Sequence, residues 1–320
     1  MGGKGRKGRW GGKGRTRSAP PALPGLAALL VTLIVAIPRA QEPATFHASS
    51  SELVVLPVVV TQSNGQYISD LTAERFTVYD NGRPQEVSLF SREDTPVSVA
   101  VVVDASGSMR GKMGQVVAAT TVFARASNPD DELVIVEFND RVREVVAGGP
   151  VMASDPESLE AALLTLKPDG QTALYDALLA ALDRLERASH PRKVILLISD
   201  GGDNASRARL DDVLARARRS NVTMYTIGLY DRGAPDTNPD VLQKLADTTG
   251  GERYLPDSPG PLLAACRRIA REIRSGYTMG YIPPDRDGAF HRIRVIVEGP
   301  GARAMKIRTR PGYFAAGTAR

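Results

Sequence analysis

The segment Val97-Ser98-Val99-Ala100-Val101-Val102-Val103 narrows what this chain can fold into more than any other. Its residues are small or β-branched, and no charged group interrupts them. Such a run fits a strand covered on both faces, as in a parallel sheet between layers of helix. It ends abruptly in Asp104-Ala105-Ser106-Gly107-Ser108-Met109. One carboxylate, two hydroxyls and a glycine that permits a tight turn replace the apolar pattern within a single residue. Carboxylate and hydroxyl oxygens are hard donors, suited to Mg2+, Mn2+ or Ca2+. The reading is a divalent-metal site at the carboxyl edge of a parallel sheet, used to hold a partner.

The rest of 95–275 alternates strand and helix. Val116, Val117, Ala119 and Phe123 mark the buried side of a helix near 112–126. Glu132–Phe138 reads as a second apolar strand, and Arg141–Ala147 as a polar-alternating edge. Asp155-Pro156 starts a helix with a cap and a proline at its first position. Leu174, Leu178, Ala181, Leu182 and Leu185 form a stripe at the helical period. Lys193–Ile198 is another buried strand, followed by Ser199-Asp200. Helix near 210–217, strand Val222–Leu229, helix from Asn238-Pro239 to Gly250, short strand Glu252–Leu255 and helix Pro261–Ile273 complete the pattern. This alternation predicts an α/β fold: a doubly wound, mostly parallel, Rossmann-like sheet with helices on both faces. Ligands bind such sheets at the carboxyl ends of their strands, where the winding reverses.

Residues 48–94 and 276–315 read as β. Leu53–Val60 is a strand candidate, and Asp80-Asn81-Gly82 predicts a hairpin after Phe76–Tyr79, with Val87–Phe90 as the return strand. Tyr277–Ile282, Phe290–Val297 and Ala304–Arg310 follow the α/β region. Two or three strands rarely stand alone. The two flanks are therefore expected to form one small β-sandwich, with the α/β domain inserted between them.

Charge separates a leader from the body. The net charge of +5 includes eight Lys or Arg and no acid in residues 1–40, leaving 33 bases against 36 acids from 41 onward. The body therefore gives no case for nucleic-acid binding. Basic residues followed by the apolar run Leu26–Ile37 make 1–40 a signal peptide or an uncleaved N-terminal anchor. The protein is expected to be exported to the periplasm, cell envelope or extracellular space. Cys266 is the only cysteine, so no intramolecular disulfide can form. It reads as a small buried hydrophobe. Arg216, Arg218 and Arg219 read as a solvated helix face.

Three loops can meet at one edge of the sheet. The first carries Asp104, Ser106 and Ser108, the second Asp169-Gly170-Gln171-Thr172, and the third Ser199-Asp200-Gly201-Gly202-Asp203-Asn204. Asp104-Ala105-Ser106-Gly107-Ser108 resembles the DxSxS motif of the von Willebrand factor type A domain. Thr172 and Asp200 stand where that family's metal-ion-dependent adhesion site takes its remaining threonine and aspartate. The resemblance covers roughly 95–275. It implies that Asp104, Ser106, Ser108, Thr172 and Asp200 hold Mg2+, or Mn2+ or Ca2+, and that the ion takes an Asp or Glu carboxylate from a protein partner. The flanks are similar to an exported bacterial subfamily called VWFA-related. Asp203 and Asn204 read as turn formers.

The function expected is thus a metal-dependent protein-binding or adhesion module, not an enzyme. A metal-assisted hydrolase and a structural protein with a metal staple are the alternatives. Against the hydrolase, the loops hold no His, no activated Cys and no lysine-bearing phosphate loop, and Asp203 is the sole candidate base.

Overall fold

A computed structural model of the chain describes residues 53–92, 94–146, 148–230 and 237–317. The expected leader at 1–40 and the last residue of the expected edge strand, Ala147, lie outside them.

The valine run becomes β5 (Ser98–Asp104), in which all seven residues are buried. Before it come β1 (Val54–Gln62), β2 (Phe76–Asp80), β3 (Arg83–Gln85) and β4 (Leu89–Ser91). After it come α1 (Met113–Ala126), β6 (Glu132–Phe138), β7 (Val142–Glu144), β8 (Val151–Met152), α2 (Pro156–Leu163) and α3 (Leu174–Glu186). The α/β region continues through β9 (Lys193–Ser199), α4 (Leu210–Arg219), β10 (Val222–Gly228), α5 (Pro239–Thr249), β11 (Arg253–Tyr254) and α6 (Pro259–Ser275). The chain ends in β12 (Tyr277–Tyr281), β13 (Phe290–Val297), β14 (Met305–Arg308) and β15 (Gly312–Phe314).

Strand β5 explains why the run carries no polar alternation. It lies between β6 and β9, parallel to both, in the order β11-β10-β9-β5-β6-β7. Val99, Val101 and Val103 face a core shared with Phe123 of α1 and Ile269 of α6. Ala100 and Val102 face a second core with Leu178 of α3 and Leu245 of α5. Each fully buried valine is worth roughly 1.5–3 kcal/mol of transfer free energy, so a polar residue at any of these positions would be costly. The sheet is mostly parallel; β7 and β8 run antiparallel to β6. From β5 the chain passes to β6 on one side and returns to β9 on the other. The winding therefore reverses beside β5, and the carboxyl ends of β5 and β9 flank that point.

The helix signals hold in detail. Asp155 Oδ1 accepts the Ser158 N–H, and Asn238 caps α5 by accepting from Val241 N–H. Cys266 is fully buried in α6, and burial pushes its thiol up to about 12.

The antiparallel strands form two four-stranded sheets, β14-β1-β12-β4 and β15-β13-β2-β3. Each sheet mixes strands from both sides of the α/β region, and β1 pairs with β12 across more than two hundred residues. One core lies between the sheets, including Leu56, Val78, Tyr277, Met279 and Val295.

The return strand of the hairpin differs from the expectation. Asn81 and Gly82 both take positive φ, 47° and 81°. This two-residue turn restarts pairing at once, Asp80 with Arg83 and Val78 with Gln85. Residues Leu89–Ser91, within and beyond the expected Val87–Phe90, cross to the other sheet and pair with β12.

The arginines of α4, of which Arg219 is exposed as expected, also make specific contacts on that face. Arg216 pairs with Asp183 at 2.9 Å and Glu186 at 2.6 Å. Arg218 and Arg219 lie over the rings of Phe290 and Phe314. Arg310 donates to the carbonyls of Ser220 and Arg218, satisfying orphan acceptors at the end of α4. Nearby, buried Glu272 of α6 accepts from Tyr225, Tyr67 and Arg308. Among the described residues, no helix is long and apolar enough to cross a membrane.

Candidate metal centre at the carboxyl edge

Asp104 ends β5 and is fully buried. Its Oδ1 accepts the Ser106 N–H at 2.9 Å, and its Oδ2 accepts the Ser199 hydroxyl at 2.7 Å. Ser199 in turn accepts the Gly201 N–H at 3.0 Å, so one serine ties the end of β5 to the loop after β9. Burial pushes the Asp104 carboxyl above its ordinary range; these hydrogen bonds oppose the shift, and the charge of Asp200 adds to it.

The two serines and Asp200 form a chain of oxygens. Ser106 Oγ lies 3.1 Å from Ser108 Oγ, and Ser108 Oγ donates to Asp200 Oδ2 at 2.7 Å. Asp200 Oδ1 accepts the Gly202 N–H at 3.1 Å. Ser106 and Asp200 are buried, whereas Ser108 is exposed. The chain thus leads from the interior to solvent.

The loop that carries Thr172 is held to this cluster through its backbone. The Gly107 N–H, between the two serines, donates to Gly170 O at 3.1 Å, and the Asp169 N–H donates to Ala105 O at 2.9 Å. The Thr172 N–H donates to Asn204 Oδ1 at 2.8 Å, and its carbonyl accepts from the N–H groups of Asn204 and Ala205. Thr172 is therefore held between the serine turn and the Asp200 loop. Gly170 sits at φ 77°, with the Asp140 carboxylate packed where a Cβ would project. The same carboxylate accepts the Gln171 N–H at 2.7 Å. Glycine is required there on both counts.

Several residues that organise the site were not singled out in the sequence. Ser199 is one; its signal was a hydroxyl at the carboxyl end of a buried strand. Asn139 and Asp140 are others, at the end of β6 on the same edge. The carbonyl of Asn139 accepts the Ala173 N–H and so seats the start of α3. Asn204 and Asp203, read as turn formers, do more. Asn204 anchors Thr172, and Asp203 accepts from the Ser206 hydroxyl and the Tyr175 N–H at the first turn of α3.

Among the described residues, no group of three or more His, Cys, Asp or Glu could hold a metal. The donor set at this edge is of a different kind, two carboxylates with hydroxyls. Its spacing fits a small hard cation. Mg2+ takes oxygens at about 2.0–2.1 Å in an octahedron, which sets neighbouring ligand oxygens about 2.9 Å apart. The distances of 3.1 and 2.7 Å along the oxygen chain bracket that value.

Residues 98–258 match the model of the von Willebrand factor type A domain. The chain belongs to that family. The matched segment begins with β5 and takes in all three loops of the site. No curated protein matches the chain by sequence. Among solved structures, a von Willebrand factor type A protein from Catenulispora acidiphila is 17% identical, with a TM-score of 0.50; the match covers 84% of this chain and 75% of that one. Proximal thread matrix protein 1 from the mussel byssus is also 17% identical at a TM-score of 0.50, covering 61% of this chain and 51% of its own. The vWF domain of a type V pili tip protein from Porphyromonas gingivalis is 15% identical at a TM-score of 0.47, covering 56% and 95%. At these identities the likeness is one of fold, and the vWA fold accounts for the central sheet and its covering helices.

Proposed function

We propose that this vWA protein is a divalent-cation-dependent protein-binding module, exported to the cell envelope or beyond, and not an enzyme. Ser106, Ser108 and Thr172 would hold Mg2+, or Mn2+ or Ca2+, with Asp104 and Asp200 as its carboxylates. This is the arrangement of a metal-ion-dependent adhesion site. When bound, the ion supplies an electrophilic position for an Asp or Glu carboxylate of a protein partner.

The oxygen chain Ser106–Ser108–Asp200, at octahedral-edge spacing and opening to solvent at Ser108, carries this reading. Asp104 supports it from beneath. Both its oxygens are engaged by Ser106 N–H and Ser199, so it orients the serine turn instead of reaching outward. With Asp104 turned inward, its charge would offset that of a divalent ion only from a distance, which leaves the ion affinity for an incoming carboxylate. The non-catalytic reading rests on Asp203. It accepts from the Ser206 hydroxyl and the Tyr175 N–H, so its carboxylate is engaged in holding the start of α3.

Calorimetric titration of the chain from residue 41 with Mn2+ tests the proposal. One equivalent should bind the parent protein, and binding should vanish in Asp200→Ala. Pull-down of envelope proteins should be abolished by EDTA and restored by Mg2+. No saturable Mn2+ binding would overturn the reading, and Mn2+-dependent turnover of a generic phosphoester would replace it with a hydrolase.

A further inference from the structure

At the opposite, amino edge of the central sheet, α6 carries Arg267, Arg268, Arg271 and Arg274, all exposed. Two are neutralised: Arg268 pairs with Glu252 at 3.3 Å and Arg274 with Asp94 at 2.6 Å. Arg267 and Arg271 make no ion pair or hydrogen bond among the described residues. They stand at i and i+4, on one helix face, where like charges repel by roughly 0.2–0.5 kcal/mol. The helix dipole favours a cation only in the last turn, where Arg274 already sits. Nor is the surface generally basic, since residues 41–320 hold more acids than bases. Among the described residues, these two charges have no partner.

Both arginines line two adjoining open clefts. One, of about 590 Å3, lies between α6 and the turn after β1, with Gln66, Tyr67 and Ser69 on its far wall. The other, of about 470 Å3, is bounded by Asp94, Ala126 and Arg274. Arg267 and Arg271 form the ridge between them.

We propose that Arg267 and Arg271 bind a phosphate group. One guanidinium fork is satisfied by the two oxygens of a carboxylate. Two adjacent forks, both unpaired, call for a group with more than two acceptor oxygens and more than one negative charge. Phosphate meets both conditions. Gln66 and Ser69 add neutral donors across the cleft. The phosphate is either soluble or the headgroup of an anionic lipid, and the chemistry of recognition is the same.

The test uses the whole chain in EDTA, so that its outcome is independent of the metal reading. Calorimetry with inorganic phosphate and pyrophosphate should show saturable binding, weakened at least tenfold in Arg267→Ala/Arg271→Ala. Arg303→Ala, which removes an exposed arginine elsewhere, should bind as the parent does. Arg267→Lys/Arg271→Lys keeps the charges and loses the forks; binding between parent and double alanine supports bidentate recognition. Cosedimentation with phosphatidate vesicles, against phosphatidylcholine alone, assigns the source. Vesicle binding lost in the double variant makes it a headgroup, and phosphate binding without vesicle binding makes it soluble. Absence of both, or an equal loss in Arg303→Ala, would overturn the proposal.

Discussion

Two aspartates in this molecule end strands, are almost wholly buried and accept hydrogen bonds from hydroxyls, yet they serve opposite ends. Asp80 closes β2 in the sandwich. Its Oδ2 accepts from Tyr281 at 2.7 Å and Tyr313 at 2.9 Å, and its Oδ1 meets His291 Nδ1 at 2.7 Å. These donors come from β12, β15 and β13, so a single carboxylate fastens strands of both sheets. All are rigid, buried rings. Asp104 closes β5, and its donors are a serine and a main-chain N–H. Beyond it the hydroxyls sit on a turn whose last member, Ser108, is exposed. A buried acid ringed by enclosed aromatic donors acts as a staple. The same acid beneath a turn that reaches water underlies a binding site, because the outer oxygens can exchange partners while the inner ones hold the frame.

The largest effect that sharpens this contrast is expected at Asp80. Asp80→Ala leaves two buried phenols and an imidazole without their acceptor, at a cost of about 3–5 kcal/mol. Urea unfolding should show it, while Mn2+ affinity stays at the parent value. A loss under about 1 kcal/mol would break the comparison. Asp200→Ala should do the reverse. It should abolish Mn2+ binding in calorimetry and move the melting temperature by only a few degrees, since it lifts the repulsion that Asp104 feels. Ser199→Ala tests the frame itself. It removes a donor that holds buried Asp104 and should weaken Mn2+ binding by roughly 10–100-fold, while the carboxylate oxygen left unpaired lowers stability by about 1–3 kcal/mol.

The smallest effect concerns pH. Burial lowers the affinity of His291 for its proton, but the hydrogen bond and charge of Asp80, helped by Asp287, outweigh it and raise the imidazole above its ordinary 6.5. A basic group raised on folding stabilises the folded state below its unfolded value. That contribution is lost as pH climbs through the raised folded value. Melting temperature should therefore decline as pH rises above about 6.5, and the decline should flatten in His291→Gln. An unchanged slope in that variant would show that His291 is a neutral member of the staple.

The α/β sheet was legible because β5 and β9 carry unbroken apolar runs whose ends change chemistry at once. Its helices carry strong local punctuation, such as Asp155-Pro156 and Asn238-Pro239. The meeting of Asp104, Ser106 and Ser108 with Asp200 was legible by resemblance, since the first three cluster in sequence. What holds them was not. Ser199, Asn139 and Asp140 act through contacts between strand ends that no local spacing encodes. The sandwich pairing failed where a strong turn signal was read together with the wrong strand. Arg83-Pro84-Gln85 has no apolar pattern, yet the geometry of Asn81-Gly82 imposes its pairing with β2. The ring contacts of the α4 arginines were not legible for a related reason: Phe290 and Phe314, over which Arg218 and Arg219 lie, are at least seventy residues away.

The pairing of β1 with β12 also orders events during synthesis. Strands made first must remain without their neighbours until some two hundred further residues have emerged, whereas the α/β region can collapse on contacts of its own. High contact order of this kind slows folding and exposes strand edges in the meantime. A nascent chain stopped before Tyr277 would hold every strand of the central sheet and an orphaned amino-terminal ribbon. That ribbon is where chaperone holding, or misassembly with a second nascent chain, would begin.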